Sequence, residues 1–186
     1  MKEFSILALG GNTQSKVGSP KETLRQAILM LSDHGVRVEK TSKFYQTPAF
    51  PAGSGADYVN AAALVSANHS AVELLDILHE IEAELGRERL SRWASRPMDI
   101  DLIAMGQKVA PDREGFAKWR DLTLEDQKTL WPDQLILPHP RLQDRAFVLV
   151  PMADVAPDWV HPVSGKTVQE MLDALPQALK NEVVAL

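Results

Sequence analysis

A chain of 186 residues with 45% apolar and 24% charged residues has the composition of an ordinary globular protein, long enough to bury a substantial core. Its formal net charge of −5 argues against a general nucleic-acid binder, which needs a basic face. The absence of cysteine excludes disulfides, thiolate nucleophiles and cysteine-based zinc sites. No window approaches a membrane span, and the apolar run over residues 4–10 is too short for a signal peptide. A cytoplasmic protein with neither membrane nor nucleic-acid partners is expected.

Residues 4–10 read as a buried first strand, ended by the turn Gly10-Gly11-Asn12. Ser19-Pro20-Lys21-Glu22 carries three agreeing signals of a helix start: a Ser cap, Pro at the first position and Glu three after the cap. Leu24, Ile28 and Leu31 follow at helical spacing, and Gly35 is placed to close the helix. Residues 36–47 alternate and read as a second strand ending at Pro48. The stretch 48–56, with Pro51, Gly53 and Gly55, cannot continue a sheet, and residues 58–67 read as a third strand. A second capping box, Ser70-Ala71-Val72-Glu73, opens a helix with Leu74, Leu78, Ile81 and Leu85 on one face and Gly86 after it.

A strand over residues 98–104 completes the order strand, helix, strand, strand, helix, strand. That order is the ferredoxin-like split βαβ arrangement, an α+β fold with a mainly antiparallel sheet and helices on one face. Residues 107–134 are polar and charged, helical around 116–119 and 124–130, and read as an insertion pinned to the body by Trp119 and Trp131. The C-terminal extension holds Pro138-His139-Pro140-Arg141, an apolar helical stretch over 144–155, a turn over 161–165 and an amphipathic helix from Thr167. With no repeats and no low-complexity segment, residues 1–186 are expected to form one domain.

The chemistry is concentrated over residues 87–103, where Arg87, Arg89, Arg92 and Arg96 are followed by Asp99 and Asp101. Arginine suits planar, bidentate capture of phosphate oxygens. On a strand, side chains alternate, so the two aspartates share a face. Carboxylates that close repel one another unless a cation sits between them, and hard oxygens of this kind suit Mg²⁺ completed by substrate phosphates. The stretch thus reads as arginines for a polyphosphate and aspartates for its metal. Taken alone, an arginine-rich loop is more often solvated surface, and Asp-x-Asp is common. Ile100, Leu102 and Ile103 shift the balance, because unpaired carboxylates at the mouth of a buried strand are costly.

The pattern Arg92-x-Ala94-Ser95-Arg96-x-x-Asp99-Ile100-Asp101-Leu102-Ile103 resembles the signature of the 6-hydroxymethyl-7,8-dihydropterin pyrophosphokinases. Further landmarks follow in the family's order: Leu9-Gly10-Gly11-Asn12, Tyr45-Gln46-Thr47-Pro48, Asp57-Tyr58-Val59-Asn60, Gly86-Arg87-x-Arg89, and Pro138-His139 through Arg145-Ala146-Phe147. Together they cover nearly the whole chain except 107–134. The resemblance implies that ATP donates its two terminal phosphates to the pterin's hydroxymethyl oxygen and leaves as AMP, in folate biosynthesis. Two Mg²⁺ ions on Asp99 and Asp101 are implied, with ATP and the pterin as small-molecule substrates and a monomer as the expected state.

Residue by residue, the resemblance implies that Arg87 and Arg96 clamp the phosphates as catalytic groups beside Asp99 and Asp101. It puts Glu82, Arg89, Arg92, Trp93, the backbone around Leu102, and His139 on the nucleotide side, with Arg145 near the reacting end. Tyr58 and Phe147 stack the flat pterin, and Thr47, Pro48 and Asn60 read its edge. Loops 48–56 and 87–95 are expected to order on substrate binding. Read without the family, Arg87 is a cation at a helix C-terminus, Tyr58 and Phe147 are core aromatics, and His139 is structural. His34, His69, His79 and His161 read as surface or packing residues.

The departures from the family's pattern are Gly11 for a serine, expected to loosen its turn, Ala94-Ser95 for Gly-Pro, and Pro140 after His139. There is no Gly-x-x-x-x-Gly-Lys, so ATP is expected to be held by side chains and loops. A magnesium nucleotidyltransferase would have no need of Tyr58, Asn60 and Phe147. A small-molecule sensor would have no need of both aspartates together with Arg87 and Arg96.

Overall fold

The computed structural model describes residues 3–49, 55–87, 96–123 and 125–186, without the side chains of residues 127 and 128. The chain runs β1 (Glu3–Gly11), α1 (Pro20–Asp33), β2 (Arg37–Thr41), β3 (Tyr45–Thr47), β4 (Tyr58–Ala67), α2 (Ala71–Glu84) and β5 (Asp99–Met105). It continues through α3 (Arg113–Arg120), α4 (Asp126–Thr129), a 3-10 turn (Leu142–Asp144), α5 (Ala146–Val155), α6 (Val168–Ala174), α7 (Gln177–Asn181) and β6 (Val184–Ala185). Among the described residues six strands form one open antiparallel sheet in the order β5-β1-β4-β3-β6, with β2 also paired to β4.

The two long helices are built alike. Ser19 and Ser70 accept the N3 amide while Glu22 and Glu73 accept the cap amide, as their capping boxes require. At the other end Gly35 and Gly86 adopt positive φ, +73° and +92°, where an L side chain is strained. After α2 the Gly86 N–H reaches the Ala83 carbonyl and the Arg87 N–H the Glu82 carbonyl, both at 3.0 Å. This Schellman closure satisfies two orphan carbonyls and fixes where Arg87 leaves the helix.

Leu74, Leu78, Ile81 and Leu85 are fully buried against Leu7, Leu9, Ile100 and Leu102, each burial contributing about 1.5–3 kcal/mol. A second core lies on the opposite sheet face, where Ile6, Ala62, Ile103 and Ala104 meet Leu149 and Met152 of α5 and Val168 and Met171 of α6. Helices therefore cover both faces, not one. The reason is visible in β1, β4 and β5, whose central residues are apolar at consecutive positions instead of alternating, as strands buried on both sides are.

Two further differences from the sequence expectation have local causes. The single strand expected over 36–47 is split, because Ser42 bonds Ala62 through both its backbone N–H (2.9 Å, to the carbonyl) and its Oγ (2.8 Å, accepting the amide). The tail adds β6 to the β3 edge, pairing Ala185 with Tyr45 and Val184 with Gln46. Among the described residues no helix is long and apolar enough to cross a membrane.

The insertion is a closed excursion. Ala110 and Leu137 bridge its two ends by reciprocal backbone bonds of 2.9 and 3.1 Å. Phe116 is its anchor, fully buried and edge-on to His161 at 5.6 Å, while Trp159 packs the same imidazole and donates to the Gly106 carbonyl at 2.9 Å. Trp131, expected to pin the segment, is 71% exposed, and Trp119 is half-buried. Phe116→Ala should lower stability by about 3 kcal/mol in urea unfolding and open residues 107–134 to limited proteolysis. Unchanged stability would show that the insertion is not anchored there.

Candidate active site

Strand register assembles the site. Gly10 of β1 lies opposite Asp99 of β5 on one side and Asn60 of β4 on the other, and Asn60 in turn lies opposite Tyr45 of β3. One step along, Ala8 lies between Asp101 and Ala62. Directly opposed residues share a sheet face, so Asp99, Asp101, Asn60 and, by period two, Tyr58 and Thr47 all project from the face that α5 covers farther along. Gly10 and Ala8 form the small-residue floor between them. A Cβ on Gly10 would sit 3.0 Å from Asn60 Oδ1.

At one edge of this floor the charges are gathered around Asp99. Arg87 Nη1 reaches Asp99 Oδ1 at 2.6 Å, and Arg96 Nη1 reaches Asp99 Oδ2 at 2.8 Å. Arg87 also pairs with Glu82, whose Oε1 accepts the Ile100 N–H at 2.6 Å. Glu82, which the resemblance puts on the nucleotide side, is turned inward from the last turn of α2 and is 1% exposed, holding β5 and Arg87 together. Burial first, and then the Asp99 charge, push the Glu82 carboxyl up to about 7 against the opposing pull of Ile100 and Arg87. Asp99 is also raised, by burial first and by the charge of Asp101 second, with Arg87 and Arg96 offsetting it.

Asn12 is a site residue that the sequence reading passed over as part of a turn motif. Its Oδ1 accepts the Arg96 N–H at 3.0 Å, its own N–H donates to the Arg96 carbonyl at 3.0 Å, and its Nδ2 donates to the Ala56 carbonyl at 3.2 Å. One buried amide thus ties the arginine segment to the end of the loop after β3. Gly11 does not loosen this turn as expected. It sits in β1 opposite Val59, and a Cβ there would lie 2.4 Å from the Pro97 carbonyl oxygen. The missing side chain lets residues 96–97 settle against β1.

On the other side of the floor Asn60 Nδ2 donates to Thr47 Oγ1 at 2.8 Å, both residues being buried. Tyr58 is half-buried and Phe147, in the first turn of α5, is 40% exposed with the Arg145 guanidinium 5.7 Å above its ring. Among the described residues ring contacts join Phe116 and Trp159 to His161, so Tyr58 and Phe147 do not stack on one another. Pro48 is exposed at the end of β3. Arg89, Arg92 and Trp93, with loop residues 50–54 and 88–95, lie outside the described residues.

Beside Asp101 opens a cavity of about 460 Å³, whose lining includes Leu102, His139, Arg141 and Arg145. The Leu102 side chain is 3% exposed in the apolar core, so its backbone is what it offers there. β5 carries a bulge at Ile103, between the Leu7–Leu102 and Ile6–Ala104 pairs, and the Ile103 carbonyl accepts the His139 N–H at 2.7 Å. His139 Nδ1 accepts the Arg141 N–H at 3.1 Å, so the neutral ring carries its proton on Nε2. Burial first, with the charges of Arg145 and Arg141, lowers the His139 pKa to about 3.

Asp99 and Asp101 offer hard oxygens on one face, and among the described residues no group of three or more His, Asp or Glu side chains forms a cage of its own. Two carboxylates with the rest of the shell left to water and phosphate is the habit of Mg²⁺. The crowding that raises Asp99 also marks a place where added positive charge is favourable. The donor set fits that ion.

Gly11→Ala should displace the Arg96–Pro97 backbone and lower turnover at least tenfold, while Asn12→Ala should weaken the same segment; wild-type turnover in Gly11→Ala would show that the close approach is dispensable. His139 should stay neutral, protonated at Nε2, down to about pH 5 in ligand-free protein, as read from its ring ¹⁵N shifts, and a midpoint near 6.5 would overturn the assignment. The sign follows from linkage: between about pH 6.5 and 3 the unfolded chain binds the extra proton, so the His139 contribution to stability is complete above 6.5 and declines as pH falls.

Residues 6–157 match the family described as 7,8-dihydro-6-hydroxymethylpterin-pyrophosphokinase. The chain is 36% identical over 170 residues to the 2-amino-4-hydroxy-6-hydroxymethyldihydropteridine pyrophosphokinase of Synechocystis, covering 91% of this chain and 74% of that protein. It is 32% identical over 156 residues to the enzyme of the same name from Bacillus subtilis, covering 83% and 79%. Its fold is similar to a crystal structure described as HPPK-DHPS in complex with substrates, with a TM-score of 0.67 at 13% identity, and 97% of this chain spans 45% of that one. The order of motifs, the register that unites them and the match over residues 6–157 agree: the chain belongs to the 7,8-dihydro-6-hydroxymethylpterin-pyrophosphokinase family.

Proposed function

We infer that the chain carries out its family's reaction, moving the two terminal phosphates of ATP onto 6-hydroxymethyl-7,8-dihydropterin with release of AMP, in folate synthesis. What carries the reading is one juxtaposition. The Asp99–Asp101 pair with its arginines and the Asn60–Thr47 pair stand on the same sheet face, separated by Gly10. The strand order, with β2 and β3 both beyond β4, supports a ferredoxin-like core. The core shared by α5 and α6 with β1, β4 and β5 supports a single domain over residues 1–186.

Asp99 and Asp101 would hold Mg²⁺, two ions in our reading, which when bound supplies the charge neutralisation and orientation that phosphoryl transfer needs. Arg87 and Arg96 neutralise Asp99 in the ligand-free protein. The same two guanidiniums would supply the donors for the phosphate oxygens of ATP, Arg87 keeping Glu82 as its second partner. Arg145, close enough for its charge to be felt by Asp101, adds positive charge near the reacting end, and His139 offers its Nε2–H as a neutral donor. The pterin lies between Tyr58 and Phe147, with its edge against Asn60, whose Nδ2 is committed to Thr47 and whose Oδ1 accepts over Gly10. In the transfer the hydroxymethyl oxygen bonds to the β-phosphorus, the bond from that phosphorus to the α–β bridging oxygen breaks, AMP leaves with the electron pair, and the hydroxyl proton is released.

The direct test is AMP formation from ATP and Mg²⁺ with and without 6-hydroxymethyl-7,8-dihydropterin. AMP is expected only with the pterin, and its absence from folded protein given both substrates would overturn the reading. Asp99→Asn and Asp101→Asn should each abolish AMP release while pterin binding persists. Arg96→Ala should lower kcat on the order of 10²–10³-fold, and a loss under tenfold would reduce its role to binding.

A further inference from the structure

The family's motifs skip residues 107–134, yet this segment forms part of the cavity beside Asp101. Trp119, Leu122, Leu130 and Pro132 line it, and with Leu75 of α2 and Leu135 they supply much of its apolar lining. The lining thus sets the polar groups of Asp101, Asp133, Gln134, His139, Arg141 and Arg145 beside aliphatic and aromatic surface. Its volume of about 460 Å³ lies within the usual span of small-ligand sites. A molecule suited to it carries anionic charge for Arg141 and Arg145 and a flat, weakly polar group for the apolar lining.

The insertion is attached to the body at several points. The Ala110–Leu137 bridge closes the base of the insertion, and buried Phe116 anchors α3. Arg141 Nη1 donates to the Arg120 carbonyl at 3.0 Å, while the Arg141 amide bonds His139 Nδ1 at 3.1 Å. The residue after Trp119 is thus joined through one arginine to the imidazole of His139.

We propose that Trp119, Leu122 and Leu130 of the insertion form the nucleobase wall of this enzyme, contacting the adenine of ATP and setting base preference. The proposal rests on the reading of Asp99 and Asp101 as the polyphosphate end. Trp119 is a specificity-determining residue here; it acts on binding of the base and not on the reacting atoms.

The test compares Trp119→Ala and Trp119→Phe in the full chain by calorimetry with Mg²⁺ and a non-hydrolysable ATP analogue, with Mg²⁺ and inorganic tripolyphosphate, and with the pterin. Trp119→Ala should weaken the analogue about tenfold, leave tripolyphosphate and pterin within about twofold of wild type, and narrow the preference for ATP over CTP. Trp119→Phe should restore most of the affinity. Independently of folding in the variants, the Trp119 indole N–H resonance of the wild-type protein should shift on adding AMP, while that of Trp159, bonded to the Gly106 carbonyl, stays in place. Unchanged analogue affinity in Trp119→Ala, equal loss for tripolyphosphate, or an unmoved Trp119 resonance each overturns the wall. Wild-type protein that binds tripolyphosphate and pterin but makes no AMP overturns the enzymatic reading itself.

Discussion

The arrangement depends on one carboxylate held between two guanidiniums. Asp99 projects from the first residue of β5 into a setting that disfavours its charge, through burial and through Asp101 two residues on. Arg87 and Arg96 make that charge tolerable in the ligand-free protein. Arg87 has a second carboxylate, Glu82, and the Glu82 carboxylate also receives the Ile100 amide of the same strand. The end of α2, the start of β5 and both arginines therefore form one network. Because Glu82 is inside and Asp99 is at the site, Arg87 keeps a partner when Asp99 is given over to something else. Removing one member of such a partly buried set typically leaves an uncompensated charge, costing about 3–5 kcal/mol, so the arrangement favours exchange of cations over their loss.

The rest of the site is made by leaving side chains out. Gly10 and Ala8 separate the charged edge from the Asn60–Thr47 edge by one strand, about 5 Å to either side, without filling the space above it. Gly11, on the other face of β1, lets the Arg96–Pro97 backbone approach until only a hydrogen fits, and Asn12 then bonds both backbone groups of Arg96. Three successive residues at the end of one strand thus give a floor, a close approach and a staple. Small size at Gly10 and Gly11 serves two distinct packing needs, on opposite faces of the same strand.

Much of this was readable from local pattern. The capping boxes at Ser19 and Ser70, the closing glycines at Gly35 and Gly86, the buried stripe of α2 and the shared face of Asp99 and Asp101 all depend on residues within a few positions of one another. What the pattern missed depends on distant partners. Asn12 acts on a backbone 84 positions away, and Gly11 matters because of Pro97. The inward turn of Glu82 is fixed by Ile100 in another element. The break between β2 and β3 comes from Ser42 reaching Ala62, and Phe116 anchors the insertion in place of Trp131 because His161, from the C-terminal segment, supplies the partner. The second core was missed for a different reason: consecutive apolar residues in β1 and β4 were legible as buried, but which helices would cover the second face was not.

The insertion shows how a segment outside the family's motifs becomes part of the site's geometry. Its contacts include those at its base, where Ala110 meets Leu137 and Gln107 donates to the Val160 carbonyl, those of Phe116 and of Arg113, which donates to the Pro162 carbonyl, and that at the end of α3, where Arg141 takes the Arg120 carbonyl. Leu137 is two residues before His139, and Arg141 two after, so two of these attachments flank the imidazole that lines the cavity. His139 is in turn tied to the Ile103 carbonyl at the bulge of β5, two residues from Asp101. The end of α3, the His139 imidazole and the bulge of β5 are thus linked by a continuous run of hydrogen bonds, from the Arg120 carbonyl through Arg141 and His139 to the Ile103 carbonyl.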